Sequence, residues 1–281
     1  MIQGSIFAMF AAVFWGAAVF QGGLAAKQIS SKTSVVLYNF CAFVFFMTLT
    51  GVTLELTGSQ FLLSMGGGLS YGMGLVTLTY ALSKGKAATI VSMSTVTYTL
   101  IPFFFSVFIY NEVFPNGIVF IFPILFIGIW YTCQHESKSL KINRTDLFLG
   151  LLAGAFFSMY FLFISRVPVD VRQDGFAIMG ISSLVFLILV NKKFLEEVKS
   201  IKKVGKYVAG FIACELFGTF LFYISLKTGS IAVLPAILSV PDVLTPVILS
   251  TIFLGDRLIR KQQIGIAVSL VALVGINLLI L

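Results

Sequence analysis

The segment SIAVLPAILSVPDVLTPVILSTIFL, Ser230 to Leu254, is an apolar run broken by three prolines, one aspartate and a few hydroxyl side chains. A helix that crosses the hydrocarbon core of a bilayer needs about 20 predominantly apolar residues, and this run is long enough. Pro241 cannot donate a backbone hydrogen bond to the carbonyl of Ile237, and Pro246 likewise frees the carbonyl of Asp242. The run is therefore predicted to be kinked or locally unwound near its middle. Freed polar backbone at that depth is tolerated only where it faces protein or a water-filled cavity. A carboxylate at mid-bilayer costs roughly 3 kcal/mol on insertion scales, so Asp242 is expected to face an interior rather than lipid.

Outward from this run, the rest of the chain has the same character. Its 281 residues are 58% hydrophobic and only 11% charged, with a mean hydropathy of +1.03, which excludes a water-soluble domain. Ten candidate spans follow, at approximately 5 to 24, 33 to 53, 60 to 82, 88 to 110, 116 to 133, 146 to 165, 174 to 191, 206 to 226, 230 to 254 and 261 to 281. The predicted fold class is an all-α polytopic membrane protein. The first span has no basic leader or small-residue cleavage site, so it is expected to remain as helix one. Cys41, Cys133 and Cys214 fall in or beside spans and read as apolar fillers rather than a disulfide framework.

The net charge of +8 is explained by topology. Loops after odd-numbered spans carry sixteen Lys and Arg residues and those after even-numbered spans carry three, which by the positive-inside rule puts both termini outside. The stretch NKKFLEEVKSIKKVGK, Asn191 to Lys206, holds six lysines with Phe194, Val198 and Ile201 at helical spacing. It reads either as a short interfacial helix on anionic lipid or as a solvated basic loop. No module that would bind nucleic acid separates from the membrane part.

The two halves can be overlaid. YALSKG, Tyr80 to Gly85, matches YISLKTG, Tyr223 to Gly229, after one inserted residue, and from there Gly85 falls on Gly229, Pro102 on Pro246 and Glu112 on Asp256. Near the starts of the halves, Phe14 falls on Phe156 and Gly16 on Ser158. The reading is a first five-helix repeat at 1–134, a linker at 135–145 and a second repeat at 146–281. An odd number of spans per repeat inverts the second copy, and transporters built this way place their site near the bilayer midplane between the repeats.

The residues Phe14, Trp15 and Gly16 in span one, Pro102 and Pro246 in spans four and nine, Asn111 with Glu112, Gly255 to Arg257, and Gln262 to Gly265 together resemble the drug/metabolite transporter superfamily, EamA-like branch. The resemblance extends over nearly the whole chain in span count and duplication. It implies a ten-helix basket around a central cavity, with substrates drawn from amino acids, nucleotide sugars, organic cations and other metabolites. It also implies cytoplasmic termini, opposite to the charge bias.

A second acid, Glu215 in GFIACELFGTF, lies about 12 Å into span eight at 1.5 Å per residue. No basic residue lies at comparable depth. Asp242 and Glu215 are thus the candidate substrate-binding or proton-coupling residues. The alternative for each is structural: Asp242 bonding a neighbouring hydroxyl, Glu215 pointing to a polar helix end. In the 144-residue register the partner of Asp242 is Tyr98, which would set a phenol opposite a carboxylate. Trp15, Tyr38, Asn39, Tyr71, Tyr98 and Tyr160 are candidate cavity-lining residues, and Pro102, Pro241 and Pro246 candidate helix breaks. Aromatic faces around a carboxylate suit an amine or quaternary ammonium. Gly68 with Gly72 and Gly150 with Gly154 have small-xxx-small spacing, read as packing within the chain or, alternatively, at a homodimer interface.

Lone His135 reads as a loop residue, Glu112 and Asp256 as gates or caps at helix ends, and Lys84, Lys86 and Lys227 as orienting charges. No phosphate-binding loop, metal-ligand cluster or nucleophile with a base appears, so neither enzymatic chemistry, a metal nor a cofactor is expected. The expected partners are a small-molecule solute, protons and membrane lipid, in a prokaryotic inner membrane. The favoured function is secondary active or facilitative transport of an amine-bearing metabolite or organic cation by alternating access. The alternatives are an exporter of neutral amino acids or drugs that uses the acids only for proton coupling, and a non-transporting membrane subunit.

Overall fold

In the computed structural model, the described residues are 2–50, 55–84, 87–109, 111, 117–132, 144–199, 201, 204–227, 234–254 and 259–280. Among them the chain forms eleven helices and no strand: α1 (Ile2–Ala25), α2 (Ser31–Thr50), α3 (Gly58–Lys84), α4 (Ala87–Phe108), α5 (Ile118–Thr132), α6 (Arg144–Ser165), α7 (Arg172–Val190), α8 (Phe194–Lys199), α9 (Gly205–Ser225), α10 (Leu234–Leu254) and α11 (Arg260–Ile280). Seven helices are long and apolar enough to cross a membrane: α1, α2, α3, α6, α7, α9 and α10. Shorter apolar stretches occupy Met93–Phe108 and Phe120–Tyr131. Helices are the natural form for such sequences because each satisfies its backbone hydrogen bonds internally where no water is available.

Large apolar side chains also cover the outside, with Phe108 72%, Phe120 75%, Leu189 73% and Val271 70% exposed. An aqueous surface does not carry so much contiguous apolar area, whereas lipid accepts it. Hydroxyl side chains inside the helices bond back to carbonyls one turn earlier, as Thr79 does to Leu75 at 2.7 Å, Thr97 to Met93 at 2.6 Å and Ser158 to Gly154 at 2.7 Å. These bonds satisfy polar groups without a partner helix.

Helix α1 packs against α9 and α10, and α6 packs against α3 and α4. Helices α2 and α7 pair with each other, as do α5 and α11, and α4 meets α10. Small residues allow the close approaches. A Cβ on Gly150 of α6 would stand 2.8 Å from the carbonyl oxygen of Ile90 on α4, and Gly154 abuts Ser94 one turn on. Gly68 and Gly72 bring α3 onto Met179, Ser182 and Ser183 of α7. Both small-residue pairs therefore pack helices of the same chain.

Of the kink or local unwinding expected in this run, α10 shows no unwinding. It is helical from Leu234 to Leu254 with Pro241 and Pro246 inside it, so no local unwinding interrupts it. The carbonyl of Asp242, which Pro246 leaves without its helical donor, instead faces α1: a Cβ on Gly16 would sit 3.0 Å from that oxygen, 2.7 Å from Thr245 Cβ and 3.0 Å from Pro246 Cδ. Gly16 thus lets α1 pack closely over the freed carbonyl. Pro102 likewise lies inside the continuous helix α4. The basic stretch after α7 contains the short helix α8, with Leu195 76% exposed.

Candidate functional site

The two acids lie in the helix bundle and each accepts a phenol from the first half of the chain. Glu215 of α9 is 1% exposed, and the Tyr71 hydroxyl of α3 donates to its Oε2 at 2.6 Å. Asp242 of α10 accepts at Oδ2 from the Tyr98 hydroxyl of α4 at 2.8 Å. Among the described residues neither carboxylate is paired with a Lys or Arg. These short bonds to an oxygen acid are of the strong, charge-assisted kind when the acid is ionised.

Aromatic rings connect the two pairs. Tyr71 has its ring centroid 4.7 Å from Tyr160, 5.8 Å from Phe157, 6.1 Å from Tyr38 and 6.5 Å from Trp15. Phe157 also reaches Tyr98, at 6.3 Å, and so links the two phenols. Trp15 stacks near Phe222 at 5.2 Å. The Tyr38 hydroxyl lies 3.0 Å from Thr219 Oγ1, and Asn39 Nδ2 donates to the Val35 carbonyl at 2.8 Å. Trp15 Nε1 and the Tyr160 hydroxyl are buried without a hydrogen-bond partner among the described residues.

A cavity of about 20 Å³ opens beside Tyr71, with Tyr38, Asn39, Tyr160 and Thr219 among its polar lining. It has room for about one water and none for a solute of several heavy atoms, so the rings are closed on each other. Tyr38, Asn39, Tyr71 and Tyr160 border this small cavity. Trp15 and Tyr98 stand behind them, joined through the ring contacts just described, and Glu215 is reached through Tyr71. Asp242 and Tyr98 are gathered at the crossing of α4 and α10.

The sequence reading missed Phe157, Phe222 and Thr219. Phe157 was within reach: the overlay that sets Phe14 on Phe156 and Gly16 on Ser158 also sets Trp15 on Phe157. The packing follows that pairing, since Trp15 lies against Gly218 of α9 and Phe157 against Gly74 of α3.

Arg172 is a second omission. At the start of α7 it is only 6% exposed, and it donates from Nε to the Val167 carbonyl at 3.0 Å and from Nη1 to the Leu226 carbonyl at 2.8 Å. These carbonyls lie just past the ends of α6 and α9, where unsatisfied acceptors and the helix dipole favour a cation. At the opposite end of the bundle, Asn191 Nδ2 donates to Thr33 Oγ1 at 2.9 Å, Thr33 in turn donates to Glu197, and Lys32 Nζ reaches the Val190 carbonyl at 3.4 Å. The polar tie there joins the start of α2 to α8 and the end of α7.

Lys84 closes α3, and Lys227 stands over the Tyr223 ring at 5.0 Å. Cys41 and Cys214 are free thiols. Glu112, Asp256, His135, Cys133, Lys86 and most of the proposed linker lie outside the described residues. Among the described residues no group of three His, Cys, Asp or Glu side chains is placed to hold a metal ion.

No protein-family model matches the chain, and no curated protein matches it. A solved crystal structure of a protein superposes on it with a TM-score of 0.72, covering 98% of this chain and 96% of the other at 14% sequence identity. At that identity the likeness is one of fold.

Proposed function

We propose that the chain is a ten-helix membrane transporter of the drug/metabolite type, EamA-like branch, that carries a small amine-bearing metabolite or organic cation by alternating access. The observation that carries this reading is the pair of carboxylates, Glu215 buried and Asp242 half-buried, held by phenols in an aromatic interior and, among the described residues, without a Lys or Arg partner. An acid at that depth is costly, and such residues mark substrate or proton pathways; aromatic faces beside a negative charge favour a desolvated cation. The matched packing of α1 on α9 and α10 with α6 on α3 and α4 supports two inverted five-helix repeats, 1–134 and 146–281. In that arrangement α8 is an interfacial element and the other ten helices are the spans. The distribution of lysine and arginine supports cytoplasmic loops after the odd-numbered spans, with both termini outside a prokaryotic inner membrane.

The test is uptake into liposomes by the wild type, Glu215→Gln and Asp242→Asn, using a panel of amines, quaternary ammonium compounds and neutral amino acids at acidic and alkaline pH. Movement of a cation by the wild type, with loss in at least one folded variant, is the expected outcome. Equal movement of the same neutral solute by all three proteins overturns the cation reading, and absence of any flux overturns transport.

A further inference from the structure

We infer that the two carboxylates have different tasks: Glu215 is the counter-charge for the carried cation, and Asp242 is the coupling group whose bond to Tyr98 holds α4 to α10. The inference rests on the transporter reading above and assigns roles within it.

The surroundings of the two acids differ. Tyr71, the partner of Glu215, lines the cavity and is ringed by Tyr160, Phe157, Tyr38 and Trp15. The Tyr160 hydroxyl, 2% exposed and on the same cavity, has no hydrogen-bond partner among the described residues. A buried hydroxyl left unpaired is costly, and a solute with an N–H group that parts the rings beside Tyr71 would satisfy it. Tyr71 thus joins the Glu215 carboxylate, which does not itself border the cavity, to the Tyr38 and Tyr160 rings and the unpaired hydroxyl that do. Glu215 reaches that cavity through Tyr71, whereas neither Asp242 nor its partner Tyr98 borders it, and among the described rings Tyr98 meets Phe157 and Phe161.

Asp242 stands instead at a seam. Between α4 and α10, the hydrogen bonds among the described residues are Tyr98 to Asp242 at 2.8 Å and a long one from Thr99 Oγ1 to the Pro235 carbonyl at 3.5 Å. Pro102 follows Tyr98 by one turn, and Pro241 and Pro246 flank Asp242. Each proline deletes a backbone hydrogen bond and marks a place where its helix bends most readily. A single strong side-chain bond therefore ties together two helices that are weakened on either side of it.

The state of Asp242 sets the strength of that tie. Ionised, it accepts a charge-assisted bond from Tyr98, roughly twice as strong as a neutral one. Taking up a proton removes the charge, weakens the tie and frees α4 to part from α10; releasing the proton to water on the other face restores it. Among the described residues no fixed charge on the neighbouring spans overrides this. Of the helices packed on α10, α1 carries no titratable side chain, α4 carries only Tyr98, α5 only Tyr131, and α11 only Arg260 and Lys261 at its start. Glu215 on α9 is the other interior acid, linked toward Tyr98 through Tyr71 and Phe157, so a solute that moves those rings bears on the bond between Tyr98 and Asp242.

The test uses the full chain with tetramethylammonium as the probe. Binding is read in detergent from Trp15 fluorescence in a Trp130→Phe background. In proteoliposomes, exchange of labelled probe and accumulation driven by an imposed pH gradient are measured separately. Glu215→Gln is expected to weaken binding at least about tenfold and to lose both fluxes. Asp242→Asn is expected to bind within about threefold of the parent and to exchange, yet to lose gradient-driven accumulation. Tyr98→Phe, which keeps the ring and the acid, is expected to cut accumulation at least about fivefold with binding retained, and it carries the test if Asp242→Asn does not fold. Equal loss of binding in the Glu215 and Asp242 variants, or unaltered accumulation in both Asp242→Asn and Tyr98→Phe, overturns the division while leaving the cation reading intact. Absence of probe binding by the parent overturns the cation reading itself, and the division with it.

Discussion

Tyr98 and Asp242 share a 2.8 Å hydrogen bond across 144 residues of sequence, the interval that also separates Pro102 from Pro246. Tyr71 and Glu215, joined at 2.6 Å, are the same interval apart. In both pairs the first half of the chain supplies the phenol and the second half the acid. The negative charge of the interior is therefore concentrated on one half, and the other half holds it in place.

Replacing either phenol by phenylalanine keeps the ring packing and deletes only the donor. Hydrogen bonds between helices in a bilayer are worth about 0.6 kcal/mol on average and up to about 1.7, with bonds to charged groups at the upper end. Tyr71→Phe and Tyr98→Phe are each expected to cost about 1 kcal/mol, visible as a lower unfolding midpoint in detergent. The fully enclosed pair at Glu215 is expected to show the larger loss, and a Tyr71→Phe/Glu215→Gln double-mutant cycle should return a coupling of similar size.

Gly16 gives a steric test of how α10 survives its prolines. Alanine there would press on Thr245 Cβ at 2.7 Å and on the Asp242 carbonyl at 3.0 Å, and backbone yields little. Over-packing of this kind costs about 1–3 kcal/mol. At Gly23 of the same helix the nearest atom to a new Cβ is Leu82 Cβ at 3.7 Å. Gly23→Ala is therefore expected to be neutral or to stabilise by about 0.5–1 kcal/mol through helix propensity. Comparing the two variants by thermal unfolding in one detergent separates contact from propensity.

These two tests also mark what was legible in the sequence. The helices were, because long apolar runs leave the backbone no other way to satisfy itself. The Tyr98–Asp242 contact could be anticipated because the overlay after Gly85 has no gap. The Tyr71–Glu215 contact could not: before the inserted residue Tyr80 falls on Tyr223, so the overlay sets Tyr71 on Cys214, one residue from its actual partner. Helical phase decides such contacts, and apolar helices with no polar face do not display their phase. The unbroken course of α10 was hidden for a different reason, since it depends on what α1 places against the freed carbonyl.

Arg172 was hidden by position. At the edge of a charged loop, VPVDVRQDG, it resembles an orienting surface charge, yet it is buried on the Val167 and Leu226 carbonyls. Arg172→Met would leave both acceptors unpaired at an enclosed site, at a cost of about 1–3 kcal/mol for each. Arg172→Lys keeps the charge but loses the planar fork that spans two acceptors, and is expected to recover less than half of the loss. Unfolding midpoints of the two variants check this, and equal stability of Arg172→Lys and the parent would show that charge alone suffices.

Trp15 offers a direct view of the closed interior. It is 9% exposed and packed on Phe222 and Tyr71, whereas Trp130 is 43% exposed on α5. In a Trp130→Phe protein the emission should be that of an indole shielded from water. The cavity of about 20 Å³ beside Tyr71 cannot take a quaternary ammonium without the rings moving apart. Binding of such a cation must therefore displace Tyr71 or Tyr160, and Trp15 with them. A saturable change in Trp15 emission on titration with tetramethylammonium is expected, along with its loss in Glu215→Gln. A change that grows linearly with added salt and is matched by sodium chloride would instead report ionic strength, with the rings staying closed.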